Sequence, residues 1–203
     1  MSSPESTEFF ESMYSAAGGD DSRIPWQDAI SKRLFGDWLE TFDPSRHQRA
    51  LVVAAGLGDE AAALAALGLG VVAFDHAPSA VNWARERHKD VTIDWQVADL
   101  LSPPAEWIGA FDLVVEVFTI QSIDPQLQVT AAEAVRSFVG AGGALLAVAL
   151  VRRGDEPPGG PPWPLHHDTL ESLGEGLREI SVRTEELDAG LSCVMVELSR
   201  PTS

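Results

Sequence analysis

The chain has 203 residues, of which 45% are hydrophobic and 22% are charged, and its formal net charge is −17. This composition is typical of a globular domain with a full core, and the acidic excess argues against binding to nucleic acid or anionic lipid through clustered basic residues. The lone cysteine, Cys193, excludes an internal disulfide and lies in the apolar run LSCVMVEL, which favours a core position. With no signal sequence and no apolar run of membrane-spanning length, we expect a cytoplasmic protein.

The first quarter of the chain predicts two helices. Residues 5–17 have a helical pattern that ends at Gly18 and Gly19. Residues 27–42 repeat apolar side chains at helical spacing, and Pro44 follows the expected end. The first helix and the segment up to Trp26 are rich in aromatic residues, so we expect them to close over a site.

Residues 50–75 predict a βαβ unit that carries most of the functional information. Its strand, helix and second strand are expected at 51–54, 59–68 and 70–75. Gly56 and Gly58 lie where the strand passes into the helix, so the backbone there can approach a ligand closely. Asp75 ends the second strand, a placement suited to binding ribose hydroxyls. The unit therefore predicts an adenosine-like ligand.

The rest of the chain alternates between strands and helices and closes with a hairpin. Strands are predicted at 91–97, 111–118, 144–151, 178–187 and 192–199. Helices are predicted from Pro78, from Asp124 to Val139 and over 166–175, and a long Pro/Gly-rich loop over 152–164. This order predicts an α/β fold with a doubly wound, mostly parallel sheet and a C-terminal antiparallel hairpin. Ligands of such sheets bind outside the carboxyl ends of the strands.

In this order the motifs resemble those of the class I S-adenosylmethionine-dependent methyltransferases, most closely a small-molecule branch similar to thiopurine S-methyltransferase. The resemblance covers residues 9–199. The glycine motif reads VVAAGLG, with Val52 at the family's acidic position and Ala54 at its first glycine. The other matching segments are Asp20–Trp26, Asp75, Val97–Leu100, Phe111–Glu116 and Ala141–Leu146.

The resemblance implies a Rossmann-like methyltransferase fold in one domain, 1–203, with an N-terminal helical lid (1–49) and a core (50–200). It implies S-adenosyl-L-methionine as cofactor, a small-molecule methyl acceptor and in-line methyl transfer. The cofactor contacts it implies are Trp26, Ala54, Gly56, Gly58, Asp75, His76, Asp99, Leu100 and Glu116. We further expect Glu116 to be catalytic and Thr119 and Trp163 to contact the acceptor. No metal ligands with suitable spacing are present.

Two other functions remain open. Residues 56–61 fit the dinucleotide fingerprint G-x-G-x-x-A, but Asp59 and Glu60 lie in the first turn of the helix, where they would repel a pyrophosphate. A protein that binds an adenosyl ligand without catalysis is the second alternative. The sequence determines neither the acceptor nor the oligomeric state.

Individual residues have simpler interpretations as well. Asp75 would serve as a helix cap, Asp99 as a turn residue and Glu116 as a solvated strand end.

Overall fold

A computed structural model describes residues 4–24, 30–154 and 161–202. The strands are β1 (Arg49–Val53), β2 (Gly70–Asp75), β3 (Ile93–Val97), β4 (Phe111–Val117), β5 (Val139–Arg152), β6 (Arg178–Glu186) and β7 (Leu191–Ser199). The helices are α1 (Pro4–Ala17), α2 (Ile30–Leu39), α3 (Asp59–Ala66), α4 (Pro78–Arg87), α5 (Gln128–Ser137) and α6 (His167–Gly174). In these ranges, no helix has the length and apolar character needed to cross a bilayer.

All seven strands form one sheet in the order β3-β2-β1-β4-β5-β7-β6. The first five are parallel, and β7 runs antiparallel to both of its neighbours. The predicted doubly wound, mostly parallel sheet with a C-terminal antiparallel hairpin is therefore confirmed. The chain leaves β1 toward one edge and β4 toward the other, so the switch point of the topology lies between these strands, where ligands of such sheets bind.

Alternation along the strands builds a core on each face of the sheet. In β1, Leu51 and Val53 belong to a cluster shared with α5 and α6, whereas Ala50 and Val52 belong to a second cluster shared with α2, α3 and α4. A strand buried on both faces has a continuous apolar sequence, which explains the runs 50–53 in β1 and 113–115 in β4. Cys193 lies in the second cluster, as predicted.

The fifth strand begins earlier than predicted. The predicted strand begins at residue 144, directly after Gly142 and Gly143, but β5 already starts at Val139. Its pairing jumps from Phe111 opposite Val139 to Leu113 opposite Ala144, so the glycines form a bulge inside the strand. A Cβ on Gly143 would lie 2.8 Å from the Phe111 carbonyl oxygen, so the close approach requires glycine.

Candidate functional site

A cleft of about 410 Å³ opens at the carboxyl ends of β1, β2 and β4. Its volume lies within the usual range for small-molecule sites. Helix α1 covers one side with Phe10 and Tyr14, and the ends of β2 and β4 supply Asp75 and Phe118. The cleft therefore lies at the switch point, where the sequence predicts an adenosine-like ligand.

A second, smaller cavity of about 60 Å³ adjoins the cleft. The two share the wall residues Ala54, Val117 and Phe118, so they are neighbouring compartments at the same end of the sheet. Lys32 and Glu60 line the smaller compartment. No sequence pattern indicated Lys32 as a site residue, because α2 reaches this place only through tertiary packing.

The glycine turn has two residues with distinct requirements. Gly56 and Gly58 both have positive φ, +53° and +80°. Gly58 also packs against β3 and α4: a Cβ there would lie 2.9 Å from Cζ3 of Trp95 and 3.2 Å from the Cβ of Ala84. Gly58 is therefore needed for helix–strand packing in addition to its backbone conformation. Ala54 lies before this turn with φ +45°, a conformation that favours glycine.

Asp75 is buried at the wall of the cleft and binds the loops around it. One carboxylate oxygen accepts the N–H of Gly56 at 3.0 Å, and the other accepts the N–H of Ala77 at 2.9 Å. Burial raises the pKa of this carboxyl, against the opposing effects of His76 and these N–H groups. Because Ala77 precedes α4, these are contacts to loop backbone and not the helix cap that we weighed as an alternative. Each oxygen retains acceptor capacity for the predicted ribose contact.

Three further predicted cofactor residues lie near the adjoining strand ends. His76 and Leu100 line the cleft. The His76 Nε2 atom is buried and has no hydrogen-bond partner among the described residues. Asp99 accepts the N–H of Leu101 at 2.9 Å, the turn geometry of the simpler interpretation, and it is not among the described residues of the cleft wall. Its contact with the cofactor stays a prediction.

Glu116 is enclosed by protein. Its side chain is 0% exposed, and it lines neither cavity among the residues that the structure describes. One oxygen accepts the N–H groups of Thr119 at 2.6 Å and Ile120 at 3.0 Å, while the other has no partner there. Burial raises the pKa of Glu116 to about 7, against the opposing effect of these N–H groups. The interpretation of Glu116 as a solvated strand end is therefore wrong. Its predicted contact with a ligand stays a prediction, and the burial of the side chain does not favour it.

The two predicted acceptor residues differ in position. Thr119 lines the cleft, and its hydroxyl donates to the carbonyl of Val53 at 3.1 Å, which ties the ends of β4 and β1 together. Trp163 is half-buried outside the described wall, but Pro161 and Pro162 from the same loop line the cleft. The loop that carries Trp163 therefore lines the cleft, but it does so through Pro161 and Pro162. Trp26, the remaining predicted contact, lies outside the described residues.

Helix α1 is anchored above the cleft. The Glu11 carboxylate accepts hydrogen bonds from the N–H and the hydroxyl of Ser79 in the first turn of α4. Phe10 and Tyr14 pack against Leu57 from the glycine turn and Ala77 from the start of α4. An aromatic helix that covers the strand ends has the position that a lid requires.

The comparisons with known proteins agree with this geometry. Residues 50–152 match the family described as a methyltransferase domain. The chain belongs to this family. A search of curated proteins found no match to the sequence.

Solved methyltransferase structures share the fold at low sequence identity. The N-methyltransferase NodS from Bradyrhizobium japonicum, in complex with S-adenosylhomocysteine, is 18% identical with a TM-score of 0.73, covering 97% of this chain and 98% of that chain. The 1,6-didemethyltoxoflavin N1-methyltransferase from Burkholderia thailandensis has 1,6-didemethyltoxoflavin and S-adenosylhomocysteine bound. It is 15% identical with a TM-score of 0.69, covering 99% of this chain and 92% of that chain.

The same fold also occurs in a protein named for a different reaction. The [4+2]-cyclase SpnF is 17% identical with a TM-score of 0.72, covering 98% of this chain and 94% of that chain. At these identities the likeness shows the fold, while the site has to carry the argument for function.

Proposed function

We propose that this methyltransferase-family protein binds S-adenosyl-L-methionine in the cleft and transfers its methyl group in line to a small-molecule acceptor. The observation that carries the proposal is the two-compartment site at the switch point, closed by α1. Residues 1–49 would form the lid and 50–200 the core of one domain spanning 1–203. We propose a cytoplasmic location for the protein.

The larger compartment suits an adenosine. Asp75 stands at the end of β2 with spare acceptor capacity for ribose hydroxyls, and the orphaned Nε2 of His76 lies buried beside it. Leu100 offers an apolar surface to a base. We propose Ala54, Gly56, Gly58 and Asp99 as further parts of this cofactor site.

The smaller compartment suits the amino-acid end of the same ligand. An α-amino acid presents an ammonium and a carboxylate, and this wall carries the Lys32 ammonium and the carboxyl groups of Asp59 and Glu60. Lys32 forms an ion pair with Asp59 at 2.7 Å, so a ligand carboxylate would share that lysine. Ala54 and Phe118, at the rim between the compartments, would flank the reacting sulfur.

The acceptor would lie beside the turn after β4. Thr119, Gln121 and Pro161 line this side, and the described residues there include no lysine or arginine. We therefore propose a small acceptor that is apolar, neutral or cationic. Thr119 and the loop of Trp163 would position it and exclude water.

The bound sulfonium supplies an already activated leaving group, so the protein mainly has to align the acceptor atom. None of the described side chains on the acceptor side is a general base. This favours a thiol, part of which is ionised to the reactive thiolate at neutral pH, over an alcohol or a protonated amine, each of which would need a base.

Calorimetric titration tests the proposal against the dehydrogenase alternative. We expect S-adenosylhomocysteine to bind at least about tenfold more tightly than NAD or NADP, because Asp59 and Glu60 repel a pyrophosphate. Tighter binding of a nicotinamide dinucleotide would contradict it. Labelled S-adenosylmethionine with a panel of thiols, amines and phenols then separates methyl transfer from binding alone or from a cyclase-like activity.

A further inference from the structure

The turn that follows β4 forms one wall of the cleft and is held from behind by buried polar side chains. Phe118, Thr119 and Gln121 line the cleft. Glu116, Gln121 and Gln128 are only 0%, 2% and 3% exposed. Buried polar groups cost free energy unless they are hydrogen-bonded, and satisfied networks of them rigidify the backbone they bind. This concentration behind one wall indicates a backbone that the sequence holds in a single conformation.

Glu116 makes the hydrogen bonds that close the turn. A single carboxylate oxygen accepts the N–H of Thr119 at 2.6 Å and the N–H of Ile120 at 3.0 Å. Hydrogen bonds to an ionised carboxylate are about twice as strong as neutral ones. The residue before them, Phe118, has φ +58°, a conformation that a non-glycine side chain keeps only where its surroundings impose it.

The glutamines extend this network to the end of β5 and to the Pro161–Pro162 loop. The side-chain oxygen of Gln121 accepts the N–H of Leu150 at 2.6 Å, and the backbone carbonyl of Gln121 accepts the N–H of Trp163 at 2.6 Å. Gln128 donates to the Trp163 carbonyl at 2.9 Å. The turn, the end of β5 and the Pro161–Pro162 loop are thereby joined, so a change in the turn alters the acceptor side of the cleft.

We propose that Glu116 is a positioning residue, which fixes residues 118–122 in the shape that the acceptor side needs and touches neither ligand. The inference rests on the proposed function, since it takes this side of the cleft to hold the acceptor. Glu116 lies between Val53 and Ala147 in the sheet, behind the wall.

The ionisation of Glu116 provides a readout of this role. Burial raises its pKa to about 7 and the two N–H groups oppose the rise, with no contribution from a charged neighbour. The charged side chains on the elements around it are Arg49 of β1, Asp112 of β4, Arg152 of β5, and Glu133 and Arg136 of α5. Glutamine keeps one oxygen for both N–H groups but does not ionise, so it imitates the protonated state.

Amide NMR and hydrogen exchange on the free protein test the role without any ligand. In the wild type, the Thr119 and Ile120 amide shifts should titrate with a midpoint near pH 7, and in Glu116→Gln they should not. Glu116→Ala should lose about tenfold or more of its exchange protection at these two amides, because the acceptor that they share is gone. Glu133→Gln, on the exposed face of α5, is the control and should leave both readouts unchanged.

Ligand measurements then separate positioning from contact. S-adenosylhomocysteine affinity should stay within about twofold in Glu116→Gln, while the KM for any methylated member of a thiophenol, aniline and phenol panel should rise in Glu116→Ala and be rescued in Glu116→Gln. Unchanged amide protection in Glu116→Ala, or lost S-adenosylhomocysteine binding in Glu116→Gln with protection retained, would overturn the proposal. If Glu116→Ala does not fold, the titration difference between wild type and Glu116→Gln decides. A wild type that binds no adenosyl ligand would instead refute the proposed function, and the amide results would remain interpretable.

Discussion

Ala54 and Phe118 occupy equivalent points at the switch of the sheet: each is the first residue beyond a central strand, β1 or β4, and each has positive φ. Their values are +45° and +58°, and no other non-glycine residue in the described ranges has a positive φ. Both also line the rim between the two compartments of the site. Backbone strain of this kind concentrates at functional sites, where the surrounding structure maintains it.

Replacement of Ala54 by glycine should relieve part of this strain. A left-handed conformation costs a non-glycine residue about 1–2 kcal/mol, and the greater chain entropy of glycine offsets about 0.5–1 kcal/mol of the gain. We expect Ala54→Gly to raise the melting temperature slightly or leave it unchanged. Ala55→Gly is the control: it removes a buried methyl group without relieving positive φ, and it should lower the melting temperature. Equal losses in both variants would contradict the strain at Ala54.

The sequence predicted the sheet and the position of the cleft because both follow from local patterns. Continuous apolar runs at β1 and β4, with glycines after β1, were sufficient to locate the ligand side. The bulge at Gly142 and Gly143 was missed because it depends on the approach of a neighbouring strand. Without knowledge of the neighbouring strand β4, a glycine pair such as Gly142 and Gly143 is interpreted as a turn.

The roles of side chains at the site were harder to predict. A carboxylate in an apolar strand signals either a ligand contact or a buried hydrogen-bond acceptor, and only the backbone of the turn after β4 distinguishes them for Glu116. Gln121 and Gln128 carried no signal, because their partners lie about 30 residues away along the chain. The α1 helix was predicted as a lid from its aromatic residues, but the Glu11–Ser79 anchor requires tertiary structure.

Gly58 should be the least tolerant position of the glycine turn. In Gly58→Ala the new methyl group would press on Trp95 and Ala84 and the residue would keep a φ of +80°. We expect a loss of about 2–4 kcal/mol in the free energy of unfolding, measured with urea. Gly36→Ala, where nothing lies within 4 Å of the new Cβ and φ is not positive, is the matched control and should gain about 0.5–1 kcal/mol. A small effect at both positions would contradict the packing role.

The buried carboxylate of Glu116 should make stability depend on pH. Its pKa is raised from 4.5 to about 7 in the folded state, so between these values the folded chain binds more protons than the unfolded chain. Its contribution to stability therefore falls as pH rises through this window, by about 3 kcal/mol in total. The difference in unfolding free energy between wild type and Glu116→Gln, measured from pH 4 to pH 8, should show this fall. A difference that is constant with pH would contradict the shift.

The Glu11–Ser79 anchor should control how long a ligand stays in the cleft. Burial acts to raise the pKa of Glu11, but hydrogen bonds from Ser79 outweigh it and lower the pKa, so the carboxylate is ionised at neutral pH. Glu11→Ala should release α1 and increase the dissociation rate of S-adenosylhomocysteine by about tenfold in stopped-flow measurements, with a smaller change in association. Glu8→Ala, on an exposed position of the same helix, is the control. Equal dissociation rates in the two variants would show that α1 does not act as a lid.

Asp75 should contribute to ligand binding and to loop structure at once, and a thermodynamic cycle can separate the two. Because its oxygens accept the N–H groups of Gly56 and Ala77, Asp75→Ala should lower the free energy of unfolding by about 1–3 kcal/mol even without ligand. It should also weaken S-adenosylhomocysteine binding at least about tenfold, as expected for a lost charge-assisted hydrogen bond. This second effect alone does not distinguish a direct contact from a disturbed loop.

The distinction comes from a ligand that lacks a ribose hydroxyl. The wild type should bind S-adenosylhomocysteine more tightly than its 2′-deoxy analogue, and Asp75→Ala should bind the two with nearly equal affinity, since the hydroxyl has lost its partner. Asp99→Ala, which removes a turn carboxylate elsewhere at the strand ends, should keep the discrimination. If Asp75→Ala also binds S-adenosylhomocysteine more tightly than the 2′-deoxy analogue, Asp75 only holds the backbone of the loops, and other groups must bind the ribose.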